Sequence, residues 1–150
     1  MAHSKKQPKS IERPGKKRVP ESRNQEVWKN KYPVWRFSRF DKDHKKWGIK
    51  DIEYNKILEK LSEYERMTWN DIEASAGGRA AGTNSHFITA DKLIKEARNR
   101  LQSLKLEEFS DSIFSLRLNS KHRLFGILMG GTFDIIWDDK KHEICPGNKR

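Results

Sequence analysis

Apolar and polar positions alternate most regularly near the C-terminal end of the chain, in the runs Ile113–Leu118, Arg123–Met129 and Thr132–Trp137. A period of two, branched and aromatic residues, and turn residues between the runs predict a three-stranded antiparallel meander. Gly130-Gly131 supplies the positive φ that both central positions of a type I′ hairpin need. Closing the chain there sets Leu128 opposite Phe133, Gly126 opposite Ile135, Leu124 opposite Trp137 and Arg123 opposite Asp138. One face then carries Leu124, Leu128, Phe133, Ile135 and Trp137 and is expected to be the core face. The other carries Arg123, Phe125, Ile127, Asp134, Ile136 and Asp138. A three-residue loop, Asn119–Lys121, keeps Phe114, Leu116 and Leu118 on the core face, because a slip of one residue would expose the whole apolar set. The same loop pairs Leu116 with Leu124 and Arg117 with Arg123.

Upstream, Val34–Phe40 reads as the first strand of the sheet. Asp51–Met67 has Ile52, Ile57, Leu58 and Leu61 at helical spacing, with Asp51 as its cap. Thr68-Trp69-Asn70-Asp71 matches the box in which a hydroxyl and an acid three residues on satisfy the first amides of a helix, so a short second helix is expected over Trp69–Ala74. Asp91–Leu106 is a third, with Leu93, Ile94, Ala97, Leu101 and Leu104 on one face and Lys92, Lys95, Arg98 and Arg100 on the remainder. Residues 76–86, AGGRAAGTNSH, form a Gly-rich connector containing Arg79 and His86. No strand precedes the connector and no Lys-Ser/Thr pair follows it, which excludes a nucleotide phosphate loop. The fold class expected is α+β: a small antiparallel sheet, made of the first strand and the meander, packed on two to three helices.

Composition changes the picture at the N-terminus. Hydrophobic residues make up 34% and charged residues 35% of the 150, and the formal net charge is +11. Residues 1–24 hold eight Lys/Arg against two Glu with almost nothing to bury. A disordered basic tail over 1–30 and a folded domain over 31–150 are expected. The charge favours a polyanionic partner, nucleic acid first. The single cysteine, Cys145, excludes an internal disulfide and fits a reducing cytoplasm. No apolar run approaches a bilayer span, so a soluble cytoplasmic protein with no membrane partner is expected.

Two arginines directly opposite one another repel. The Arg117–Arg123 pair therefore implies either neutralisation by Asp138 or a site that takes an anion, and guanidinium forks suit phosphate. Asp134, Asp138, Asp139 and Lys140 invite a metal-dependent nuclease, but a cross-strand ion pair between Asp138 and Arg123 accounts for them more simply. Asp41-Lys42-Asp43 opens like a calcium loop and fails at Lys46 and Ile52, where glycine and glutamate are required. His122 has core-face parity and reads as structural.

The segment Ser115-Leu-Arg-Leu-Asn-Ser-Lys-His-Arg-Leu-Phe125, followed by Trp137-Asp-Asp-Lys-Lys-His142, resembles the RelE/YoeB group of bacterial toxin ribonucleases. The likeness covers 101–146 in motif and the earlier elements in outline. It implies a RelE-like fold and an endoribonuclease toxin that cuts messenger RNA, usually on the ribosome, by attack of the RNA 2′-hydroxyl on the adjacent phosphate, without metal or other cofactor. It also implies a cognate antitoxin. Arg123 matches the phosphate-stabilising arginine and His142 the terminal histidine that moves a proton. Arg117 joins them as a second clamp by register. Lys121, Lys140, Lys141 and His86 are expected RNA contacts. The chain departs from the group in its third helix, Gly-rich insertion and basic tail, and no glutamate is selected as base. The alternative is a non-catalytic RNA- or ribosome-binding module using the same basic face.

Overall fold

The computed structural model describes residues 28–50, 52–75 and 84–147. Nearly all of the expected tail, the cap Asp51, and Arg79 with most of the Gly-rich connector lie outside them. The elements run β1 (Val34–Arg36), α1 (Tyr54–Tyr64), α2 (Trp69–Ala74), β2 (His86–Ile88), α3 (Lys95–Ser103), β3 (Ile113–Arg117), β4 (Arg123–Met129) and β5 (Thr132–Asp139). Single 3₁₀ turns at Ala90–Lys92 and Glu107–Phe109 flank α3.

The α+β class and the meander stand, and the sheet differs from expectation in two ways, an additional strand and a parallel pair. It has five strands, in the order β1-β5-β4-β3-β2. It is mixed, because β1 lies parallel to β5, Trp35 beside Phe133. The additional strand, β2, grows out of the end of the Gly-rich connector and pairs antiparallel with β3, His86 opposite Ser115. Three residues of one apolar run are too few to mark a strand in sequence; β2 is held by the edge of β3.

Both faces of the sheet are covered. Ile57, Leu61 and Tyr64 of α1 and Trp69 and Ile72 of α2 pack with Trp28 on Phe114, Leu116, Leu124, Leu128, Phe133 and Ile135. Trp69 is fully buried at the centre, edge-on to Trp28, Trp35, Phe114 and Phe133, and its Nε1 donates to Gly131 O at 2.8 Å. The second face was expected to be outside the core. It holds Ile113, Phe125, Ile127, Ile136 and Trp137 under Leu93, Ala97 and Leu101 from α3 and its approach, with Trp47 beside them. Strands apolar on both faces belong to a sheet with helices on both sides, and α3 supplies the second layer.

The glycine turn forms as expected, with Gly130 at φ 59° and Gly131 at φ 87°. Past Gly126 the register changes: Phe125 stands opposite Trp137, Leu124 opposite Asp138 and Arg123 opposite Asp139. The expected pairs Leu124–Trp137 and Arg123–Asp138 do not form. A bulge inserts Ile136, which turns Trp137 to the second face. Two bonds from a loop hold the bulged strand: Asp41 N donates to Ile136 O at 2.9 Å and Asp138 N to Trp47 O at 3.0 Å. Gly126 permits the approach, since a Cβ there would sit 2.2 Å from Asp134 O.

The helices are shorter than their patterns. α1 starts at Tyr54 behind Glu53, whose side chain makes no capping bond, and α3 starts only at Lys95. α2 matches its expected bounds, with Thr68 Oγ1 accepting from Asp71 N at 3.2 Å and Asp71 Oδ2 from Thr68 N at 3.1 Å.

Candidate functional site

The bulge decides which side chains meet at one end of the sheet. On the face covered by α3, Arg117, Arg123 and Asp139 form a row across β3, β4 and β5, and His86, Ser115, Phe125 and Trp137 form the next row inward. The arginine pair is thus where the sequence put it. Its carboxylate neighbour is Asp139, not Asp138, because the inserted Ile136 moves each later residue of β5 by one place.

Arg123 is 2% exposed, and its Nη1 donates to the carbonyls of Asn119 and His122, the latter at 3.1 Å. The guanidinium therefore fastens the β3–β4 turn from below. Burial, then the charge of Arg117, pushes its pKa down, and Asp139 works the other way. Arg117 is half-buried and has its backbone gripped from both sides: its N–H donates to Ser85 Oγ at 2.9 Å, and its carbonyl accepts from Tyr64 OH at 2.5 Å.

Asp139 is buried, which raises its pKa, and its carboxylate accepts from Glu143 N at 3.0 Å and Ile144 N at 2.9 Å, which lowers it in part. Those bonds fold the chain back after β5, and Ile94 N donates to Ile144 O at 2.9 Å to tie the returning segment to the start of α3. His142 sits within this fastened turn at φ 58°, a left-handed conformation that histidine adopts more readily than most residues. It is half-buried. Burial lowers its pKa below 6.5 first, followed by the charge of Arg123; Asp139 opposes them, and Arg117 and His86 push down further. Its surroundings thus favour the neutral imidazole, the form that can accept a proton.

His86 joins the same cluster from β2. Its Nδ1 lies 2.5 Å from Asn84 O. A carbonyl only accepts, so Nδ1 carries the hydrogen and Nε2 is the nitrogen that exchanges a proton. Lys121 is exposed on the β3–β4 turn, and Lys140 and Lys141 stand at the turn after β5, half-buried and exposed. The structure therefore brings Arg117, Arg123, His142 and His86 together and sets the three lysines on the turns beside them.

Asp138 faces the α1 side, where its Oδ1 bonds His122 Nε2; His122 is 4% exposed and structural, as its parity indicated. Asp134 pairs with Arg39 at 3.1 Å. The three carboxylates of the metal-nuclease reading thus have three separate partners, and among the described residues no group of three or more His, Cys, Asp and Glu is placed to hold a metal ion. Asp41 also has a different role from a calcium ligand: it takes both Arg100 Nε and Nη2, at 2.7 and 2.6 Å, and Trp137 Nε1 at 3.0 Å.

No family model matches the sequence, no curated protein matches it, and no solved structure matches the fold. The geometry stands by itself. Ser85 and Tyr64 were not singled out by the sequence, and Asp139 only as a candidate metal ligand, because each acts through a contact that a single chain pattern does not encode. Only the bulge brings Asp139 into the arginine row. The arrangement can hold an anion against Arg117 in the field of the buried Arg123, with two imidazoles at hand to move protons.

Among the described residues no helix is long and apolar enough to cross a membrane.

Proposed function

We propose that this chain is a RelE-like endoribonuclease that cleaves messenger RNA, without a metal ion, by attack of a 2′-hydroxyl on the adjacent phosphate. One observation carries the reading: the half-buried His142 sits in the turn that Asp139 fastens at the end of the row formed by the paired Arg117 and Arg123. Charge builds on the phosphate oxygens as the 2′-oxygen attacks, and fixed cations in a partly dry site stabilise that charge. His142 is the base that takes the 2′-hydroxyl proton. Arg117 is the phosphate contact; Arg123, below it, holds the turn and adds its field. Lys121, Lys140 and Lys141 guide the strand. The only carboxylate in the row, Asp139, is already bonded to two amides. A ribosome-bound substrate and a neutralising antitoxin belong to the same proposal.

Purified protein with an RNA oligonucleotide, and separately with translating ribosomes, tests it. Cleavage of the oligonucleotide should continue in EDTA, and cleavage of either substrate should fall on the order of 10² to 10⁴-fold in His142→Ala, the range that positioned acid–base groups contribute. Arg117→Ala should fall by at least about 10²-fold. Arg117 is the better probe than Arg123, whose loss would also release the turn carbonyls. Oligonucleotide cleavage that vanishes in EDTA would sink the metal-free mechanism.

The buried state of Arg123 favours a second reading, a non-catalytic RNA- or ribosome-binding module, since its Nη1 serves the protein's own backbone. That reading expects salt-sensitive binding and no new RNA ends on either substrate.

A further inference from the structure

We infer that His86 is the general acid that protonates the leaving 5′-oxygen, opposite the base His142, so that the site works with two imidazoles. The inference rests on the ribonuclease reading above and adds the residue that the reading leaves unassigned. Transesterification of RNA needs two proton transfers on opposite sides of the phosphorus: one from the attacking 2′-oxygen and one to the departing 5′-oxygen. Among the residues clustered at this end of the sheet, the side chains suited to proton transfer near neutral pH are His142 and His86.

Their placement comes from different elements. His86 opens β2 and stands on the α3-covered face opposite Ser115, one row inward from Arg117. His142 belongs to the turn after β5 that Asp139 fastens, three strands away from β2 in the sheet order. In the sheet order, Arg117 on β3 and Arg123 on β4 stand between β2, which carries His86, and β5, after which His142 follows. A phosphate on the arginines thus has an imidazole approaching from β2 and another from the C-terminal turn.

The local bonds fit a division of labour. Burial, then Arg123 and Arg117, favour the neutral form of His142, and Asp139 opposes them. The carbonyl of Asn84 holds the Nδ1 hydrogen of His86 in either charge state, so the second proton is carried, and given up, at Nε2. In the step itself the O2′–H proton passes to His142, the O2′–P bond forms, and the P–O5′ bond breaks. The Nε2 proton of His86 goes to O5′. The products are a 2′,3′-cyclic phosphate and a 5′-hydroxyl end, and the two imidazoles exchange protonation states, which solvent resets.

A leaving group that needs no proton separates this role from a structural one. The full-length protein is assayed on an RNA oligonucleotide and on the same oligonucleotide with sulfur replacing the bridging 5′-oxygen at the cleaved phosphate. The variants are His86→Ala and His86→Asn, whose side-chain amide can keep the bond to Asn84 O but cannot donate at the Nε2 position as an acid. Both should cleave ordinary RNA at least about 100-fold more slowly than the parent, and cleave the sulfur-bridged substrate within a few-fold of it. His142→Ala should be slow on both. A His86→Asn protein as fast as the parent on ordinary RNA, or equally slow on both substrates, overturns the assignment while leaving the ribonuclease reading intact. A parent protein that cleaves neither substrate overturns both.

Discussion

Asp41 shows how one side chain can settle what a segment does. In sequence it opened an abortive calcium loop; in the fold it is 4% exposed and bonded to Arg100 and Trp137. Burial by itself would raise its pKa, and the bonds from Arg100 and Trp137 with the charge of Arg100 outweigh that, leaving it below 3.8. A carboxylate whose pKa is depressed by folding stabilises the native state above its ordinary pKa, and this contribution is lost as pH falls through the folded value. Asp41→Asn should therefore cost about 1 to 3 kcal/mol at neutral pH, the range for a hydrogen bond to a charged partner. Urea melts should also show the variant losing less stability than the parent as the pH falls below 3.8. Equal acid sensitivity in the two proteins would count against this account. Arg123 carries a related lesson. Its register was legible from the apolar alternation, but its burial was not, because burial depends on the return of the chain after β5 and on α3.

At the scale of elements, what could be read was what depends on nearby residues. The glycine hairpin, the three-residue loop that pairs Arg117 with Arg123, and the Thr68–Asp71 box all rest on contacts within a few positions, and all formed as expected. The second face departs from expectation because alternation by itself implies one buried side, although Phe125, Ile127 and Ile136 mark the other side as apolar. The bulge was out of reach for a different reason: it is held by Asp41 and Trp47, about ninety residues upstream of the strand, and no local pattern encodes it. The feature that permits it is Gly126, where a Cβ would lie 2.2 Å from Asp134 O and 2.9 Å from Asp134 C. Gly126→Ala must push β5 away from β4. The expected loss is about 1 to 3 kcal/mol or more by denaturant unfolding, as for other overpacked positions, with cleavage falling further because Asp139 and His142 move with β5. An alanine variant with the parent's denaturation midpoint would mean that β5 yields at no cost.

For the whole molecule, the net charge of +11 predicts association with RNA that weakens steeply in salt. Lys121, Lys140 and Lys141 surround the arginine row without being part of it. Replacing all three by Gln should lower the slope of log affinity against log salt by about 2, from roughly 0.7 per neutralised phosphate on a single strand. Binding titrations at several salt concentrations measure this, and an unchanged slope would place the RNA elsewhere. The parallel pairing of β1 with β5 has a consequence for synthesis. Val34 finds its partner only in Thr132, far down the chain. A nascent chain therefore carries β1, with Trp35 behind it, unpaired until the last strand has emerged. Long-range pairings of this kind close late. The arginine row needs that same last strand to receive Asp139 and His142, so the sheet edge and the candidate site are completed in a single late event.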